Sequence, residues 1–312
     1  MRIRHFTIKL IFSIIVVYAL GILILYRRKK LEAIRICELR NREMFPKDKW
    51  GTSLNRPLGT KAYRANDIHN KLTVLDIPNA DQFLPAIEDH NYYIMMNILR
   101  KFVDVCQNNS LDYFMCGGTL LGAYRHHGFI PWDDDLDVMM NVSQMPQIKA
   151  IFGSLGPDYV LQAPNGILQW KLFSKNSCNI MSKDFKWPYL DIFFYEELNK
   201  THIRDSIVYY AKEVFHKSKV WPLQKRKFEN MEINAPCDTA TFLDTHYDVS
   251  LCMSKDYNHA KEVFTNKATA ISCDVLHHIY PFVKRAKYND HVKESLMLGN
   301  ITLEIVNLPK TC

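Results

Sequence analysis

Between Cys116 and Met140 the chain reads CGGTLLGAYRHHGFIPWDDDLDVMM. A Gly-Gly pair opens a short apolar helix-like segment, and four aspartates then fall within five positions ahead of an apolar run. No solvated surface needs that arrangement. Glycines let the backbone come close to a ligand, and a helix starting at Thr119 points its free N–H groups at an anion. Strand alternation places Asp133, Asp135 and Asp137 on one face, with Asp134, Leu136 and Val138 on the other. Three converging carboxylates repel unless a cation sits among them, and hard oxygen ligands suit Mg2+ or Mn2+ held together with substrate phosphates. A calcium loop of the EF-hand type would need ligands, Gly and Glu at fixed positions that are absent here. The flanking Ile130-Pro131-Trp132 and Val138-Met139-Met140 make the segment half-buried, where unpaired carboxylates are costly.

The net charge of +7 invites a nucleic-acid reading, but its location excludes one. Arg2, Arg4, Lys9, Arg27, Arg28, Lys29 and Lys30 supply seven positive charges, and residues 1–30 hold no acid. The remaining 33 Lys and Arg balance 33 Asp and Glu, so no basic nucleic-acid surface is implied. Within that N-terminus, Leu10–Tyr26 is a run of 17 residues without charge. Extended past Lys9 it is long enough to cross a bilayer core as an uncleaved anchor; a signal peptide cut near Ala19–Gly21 is the competing reading. Basic residues flank both ends, so charge does not orient the span. Sequons at Asn108, Asn141, Asn199 and Asn300, with all eight cysteines after the anchor, favour a type II protein with its catalytic part in the lumen of the Golgi or endoplasmic reticulum. No cysteine spacing matches a zinc module, and Cys116 suits a small buried residue better than a nucleophile.

These features divide the chain into a tail (1–9), an anchor (10–26), a stem (27–85), a catalytic domain (86–250) and a C-terminal extension (251–312). Apolar residues from Ile87 to Val105 recur at helical spacing, and Asn108–Ser110 ends that helix. Strands are predicted at 111–116, 159–162, 168–173, 189–195 and 301–306, and helices at 31–42, 207–215 and 270–283. The segment after Ser250 carries no recognisable chemistry. In YLDIFFY, Asp191 is an aspartate flanked by apolar residues, where it would be expensive without a partner. It is the candidate third carboxylate, for the metal or for activating an acceptor hydroxyl; a buried structural aspartate is the alternative. Arg125 is the best-placed cation for phosphates, ahead of His126 and His127, with Lys225, Arg226 and Lys227 as further candidates.

GGTLLGAYRHHGFIPWDDDLDV, followed by LDIFF and WPLQKRKFENMEINAP, resembles the signature of the LicD/fukutin family of nucleotidyltransferase-fold phosphotransferases. The resemblance covers about residues 86–250. It implies an α/β (α+β) fold with a mixed sheet and flanking helices, here preceded by the transmembrane helix. It also implies metal-dependent transfer of phosphocholine or a phospho-alditol from a CDP-linked donor to a glycan or glycoprotein acceptor. Carried across by position, Gly117, Gly118 and Thr119 form the phosphate turn with Arg125 beside it, Asp135 and Asp137 are metal ligands, and Asp191 is the third carboxylate. Two rivals stand beside this reading. One is a glycosyltransferase with its own DxD motif and a UDP-sugar; the other is a catalytically silent partner of glycan-modifying enzymes.

Overall fold

A computed structural model describes residues 2–45, 65–166, 169–181, 183–206, 213–265 and 267–310, without the side chains of residues 2–11, 13, 14 and 65–67. Helix α1 (Arg2–Met44) takes in both the expected anchor and the expected short helix at 31–42. Among the described residues no helix is long and apolar enough to cross a membrane; Leu10, Ile11, Ser13 and Ile14 of the expected anchor lie outside the described side chains. The far end of α1 is fixed to the domain by a Cys37–Cys178 disulfide and by Asn41, whose Nδ2 donates to Asn176 O at 2.7 Å. Helix α2 (Ala65–Val74) and a 3-10 turn at Ala80–Phe83 follow. Ile68, Leu72, Ile77 and Phe83 enter the main core from this region, which sequence reading had placed in the stem.

Helix α3 (Asp89–Asn108) forms because Ile94, Met95, Ile98, Leu99, Phe102 and Val105 fall on one face, and all six are buried. Ser110, at φ 51°, turns the chain into β1 (Tyr113–Met115). Helix α4 (Gly117–His126), β2 (Asp137–Asn141) and α5 (Met145–Gly153) come next. Strands β3 (Tyr159–Gln162), β4 (Gln169–Asn179), β5 (Lys186–Glu197), β6 (His202–Asp205) and β7 (Val214–His216) complete the sheet. Its order is β1-β2-β5-β4-β3, with β6 pairing β5 and β7 pairing β6. Among the described strands only β2 and β5 run parallel, so the sheet is mixed, as expected. That parallel pair sets Asp137 level with Asp191. Residues 207–212 of the helix predicted at 207–215 lie outside the described residues; its end, Val214–Phe215, is strand.

A short helix α6 (Lys217–Val220) leads to a hairpin of β8 (Gln224–Phe228) and β9 (Met231–Ala235), then α7 (Thr239–Asp244). The C-terminal part is not an appendage. Strand β10 (Leu251–Met253) pairs with β13 (Ala270–Ser272), and between them β11 (Tyr257–Asn258) pairs with β12 (Val263–Phe264). A Cys252–Cys273 disulfide closes this loop; for a sequence separation of 21, loop closure contributes about 3 kcal/mol. The helix predicted at 270–283 is absent: residues 270–272 are spent on β13, a 3-10 turn covers Cys273–Leu276, and Pro281 cannot continue a helix. Strands β14 (Phe282–Lys287), β15 (His291–Leu298) and β16 (Ile301–Pro309) form a closing meander, extending the strand predicted at 301–306.

A buried carboxylate of the meander ties it to the domain. Glu294 accepts from Arg226, from Arg285 Nε at 2.8 Å and from His127 Nε2 at 3.0 Å. Burial alone would raise its pKa, but His127, Arg226 and Arg285 outweigh that and hold it at about 2. Removing one partner of a buried ionic group ordinarily costs about 3–5 kcal/mol, because the others are left uncompensated.

Candidate active site

Helix α4 begins where Cys116, extended at φ −136°, hands over to Gly117 at φ +52°. That left-handed conformation favours glycine, and carboxylates of the acidic motif approach the turn closely. A Cβ on Gly117 would lie 2.6 Å from Asp137 Oδ2, and one on Gly118 would lie 2.5 Å from Asp133 Oδ2. The turn is laced to the next strand in both directions. Gly118 N–H donates to Asp137 Oδ2 at 3.1 Å, and Asp137 N–H donates to Thr119 Oγ1 at 2.7 Å. Cys116 is buried and free, as its small-residue reading expects.

Carboxylate oxygens of Asp135, Asp137 and Asp191 lie within 4.8 Å of one another. The strand starts only at Asp137, so Asp133 and Asp135 precede it and do not form the expected alternating row with it. Asp133 groups with Asp134 and His259 instead. Burial, reinforced by Asp137, pushes Asp135 up to about 8. Burial, reinforced by Asp191 and Asp133, pushes Asp137 up to about 7. Three converging carboxylate oxygens, two of them on groups that resist ionising side by side, are the donor set a hard divalent cation neutralises, so these residues fit Mg2+ or Mn2+.

Two groups that sequence reading missed complete the centre. Lys171 Nζ donates to Asp191 Oδ1 at 2.7 Å, and Gln169 Nε2 donates to Asp191 Oδ2 at 3.0 Å. The lysine also stands 3.7 Å from the centroid of the Tyr189 ring. The β4–β5 register sets Lys171 opposite Asp191, and the alternation Gln169-Trp170-Lys171 was the available signal. The second group is His259, whose Nδ1 meets Asp134 Oδ1 at 2.9 Å and whose Nε2 meets Asp135 Oδ2 at 3.1 Å. Burial would lower its pKa, yet Asp135, Asp134 and Asp133 overturn that and raise it to about 10. Nothing in the tail sequence singles this histidine out.

All but Lys225 of the cations expected to hold phosphates are engaged elsewhere. Arg125 is buried, and its Nη1 donates to Leu251 O at 3.0 Å beside the Cys252–Cys273 sulfurs. Its place on the inner face of α4 makes it a tie to the C-terminal part rather than a phosphate grip. His126 meets Pro281 O through Nδ1 at 2.6 Å, and His127 faces Glu294. Arg226 pairs with Glu294 and Lys227 with Glu304, while Lys225 is exposed. A pocket bordered by Gly117, Asp137, Phe193, Phe242 and Tyr247 opens beside the turn.

A mixed sheet carries the glycine turn against Asp135 and Asp137, at the head of β2, with Asp191 on the parallel neighbour β5, an arrangement consistent with a nucleotidyltransferase-like fold. Residues 110–238 match the model of the LicD/FKTN/FKRP nucleotidyltransferase domain, so the resemblance holds for this segment. Lipopolysaccharide cholinephosphotransferase LicD of Haemophilus influenzae is 34% identical over 111 residues, 33% of this chain and 42% of that protein. Ribitol 5-phosphate transferase FKRP of Mus musculus is 22% identical over 159 residues, 51% of this chain and 32% of that protein. The chain thus spans less than half the length of either relative. Among solved structures, the lincosamide antibiotic adenylyltransferase LnuA aligns over 51% of this chain and 90% of its own, at 13% identity. The TM-score of that alignment is 0.34.

Proposed function

We propose that this protein transfers a phospho-substituent, phosphocholine or a phospho-alditol, from a CDP-linked donor to a glycan hydroxyl. The observation that carries the reading is the meeting of Asp135, Asp137 and Asp191 beside the Gly117-Gly118 turn, within a segment matching the LicD/FKTN/FKRP domain. Asp135, Asp137 and Asp191 would hold Mg2+ or Mn2+, which when bound neutralises charge on the donor diphosphate and on leaving CMP. The chain's own groups do the rest. Gly117 and Gly118 let the donor approach the positive end of α4. Asp191 takes the proton of the acceptor hydroxyl as its oxygen attacks the donor phosphorus and the bond to CMP breaks. Lys171, against Asp191, supplies a fixed positive charge where the phosphoryl oxygens pass. A panel of nucleotides in a thermal-shift assay with Mg2+ or Mn2+ tests the reading. CDP should raise the melting temperature more than UDP or ADP, and a preference for UDP would point to a glycosyltransferase instead.

We also read Leu10–Tyr26 as a membrane anchor that sets the catalytic part in the lumen of the Golgi or endoplasmic reticulum. Phe12, Ile15, Val17, Tyr18, Leu20 and Ile22 are all exposed, on every side of α1, and an exposed helix that is apolar all round suits lipid. The Cys37–Cys178 and Cys252–Cys273 disulfides suit an oxidising compartment, and Asn108, Asn199 and Asn300 are exposed. Protein expressed in secretory cells should gain mobility on a gel after treatment with an N-glycosidase. An unchanged band would speak against lumenal placement.

A further inference from the structure

The loop that the Cys252–Cys273 disulfide closes reaches into the acidic centre from outside the matched segment, which ends at 238. Its base is fixed on the side of the motif. The sulfurs face Arg125 of α4, and Trp132 Nε1 donates to Met253 O at 2.8 Å. Its far end is fixed on the side of β5, where Glu262 accepts from the hydroxyl of Tyr189, two residues before Asp191, and from Tyr257 at 3.1 Å. His259 is thereby held with one ring nitrogen on Asp134 and the other on Asp135 Oδ2, and its ring also packs on Tyr257 and Tyr189. Lys255 lies 3.5 Å from the other oxygen of Asp134. With carboxylates at both nitrogens, the ring donates from both sides. Asp134 then acts as the anchor of the histidine, and Asp135 Oδ1 is left outside the contact.

We propose that this disulfide-closed loop is part of the catalytic centre, and that His259 is a positioning residue which orients the carboxylate of Asp135 for the divalent cation. The inference rests on the metal reading of Asp135, Asp137 and Asp191. Hydrogen bonds that orient a ligating carboxylate typically change metal affinity by about 10- to 100-fold when removed. A loop with a merely structural role would change the melting temperature and leave metal affinity alone.

The test is a titration of the full-length, disulfide-bonded protein with Mn2+, following free Mn2+ by electron paramagnetic resonance, with a melting curve in EDTA for each variant. His259→Ala should weaken Mn2+ binding by about 10- to 100-fold. Lys255→Ala, which touches only Asp134, should leave it unchanged. His259→Gln, which keeps one donor for Asp135, should recover part of the loss. Should the alanine variant not fold, His259→Gln and His259→Met make the same comparison, since methionine fills the space without a donor; equal affinities would overturn the inference. Mn2+ binding in His259→Ala equal to that of the unsubstituted protein would overturn it too. Absence of Mn2+ binding in the unsubstituted protein would instead overturn the metal reading, and this inference with it.

Discussion

Asp137→Asn should lower turnover by about 10³-fold or more and, in EDTA at pH 8, raise the melting temperature. The first effect follows from position. Asp137 touches the glycine turn through Gly118, stands level with Asp191 across the parallel pair and groups with Asp135, so the turn and the carboxylate cluster meet at this one group. A metal ion contributes several kcal/mol to stabilising charge in the transition state, and about 4 kcal/mol corresponds to roughly 10³-fold in rate. The second effect has the opposite sign because the same carboxylate is destabilising without a cation: burial and the charges of Asp191 and Asp133 already push it up to about 7. An asparagine keeps the oxygen that accepts from Gly118 and removes the charge. For a domain of this size each kcal/mol gained shifts the midpoint by about 2–4 °C. The pair of measurements is turnover of a CDP-linked donor and a melting curve in EDTA. A variant that melts lower while keeping turnover within tenfold would remove Asp137 from the role assigned to it.

What the sequence disclosed about this centre was what lies close in the chain or repeats with a period. Gly117, Gly118, Asp135 and Asp137 are separated by at most 20 residues, and Asp191 was found because a lone aspartate in an apolar strand stands out. The mixed sheet came with the family resemblance, and the α3 helix with its 3.6-residue period. The rest failed for one physical reason: long-range partners of charged residues leave no local trace. Arg125, His127 and Arg226 read as free cations, yet their partners are Leu251 O and Glu294, more than 60 residues on. His259 reaches Asp134 across 125 residues of sequence. The C-terminal part likewise read as an extension, although Leu276, Ile279, Tyr280 and Phe282 belong to the main core.

The pH dependence of stability should separate the carboxylates from everything else when measured as a difference. Asp135 and Asp137, ordinarily near 3.8, stand at about 8 and about 7 in the folded protein. The folded chain therefore keeps two protons that the unfolded chain releases. Stability from these groups is fully present below about pH 4 and is lost as pH rises through 7 and 8. His259 acts in the same direction at higher pH: its contribution is whole below 6.5 and is lost as pH rises through about 10. Buried His126 works against them, since burial holds its pKa well below 6.5 and its contribution is regained as pH rises through that value. The raw melting curve therefore mixes signs, but unsubstituted protein minus an Asp135→Asn/Asp137→Asn double variant does not. In EDTA that difference should fall steadily from pH 4 to pH 8. Saturating Mn2+ should reverse it at the alkaline end, because the cation binds the ionised carboxylates. At a hundred times its dissociation constant a ligand adds about 2.7 kcal/mol, or roughly 5–11 °C here, and that gain should be large at pH 8 and small at pH 5. An Mn2+ shift of the same size at both pH values, or one retained by the double variant, would mean that the cation binds somewhere other than Asp135, Asp137 and Asp191.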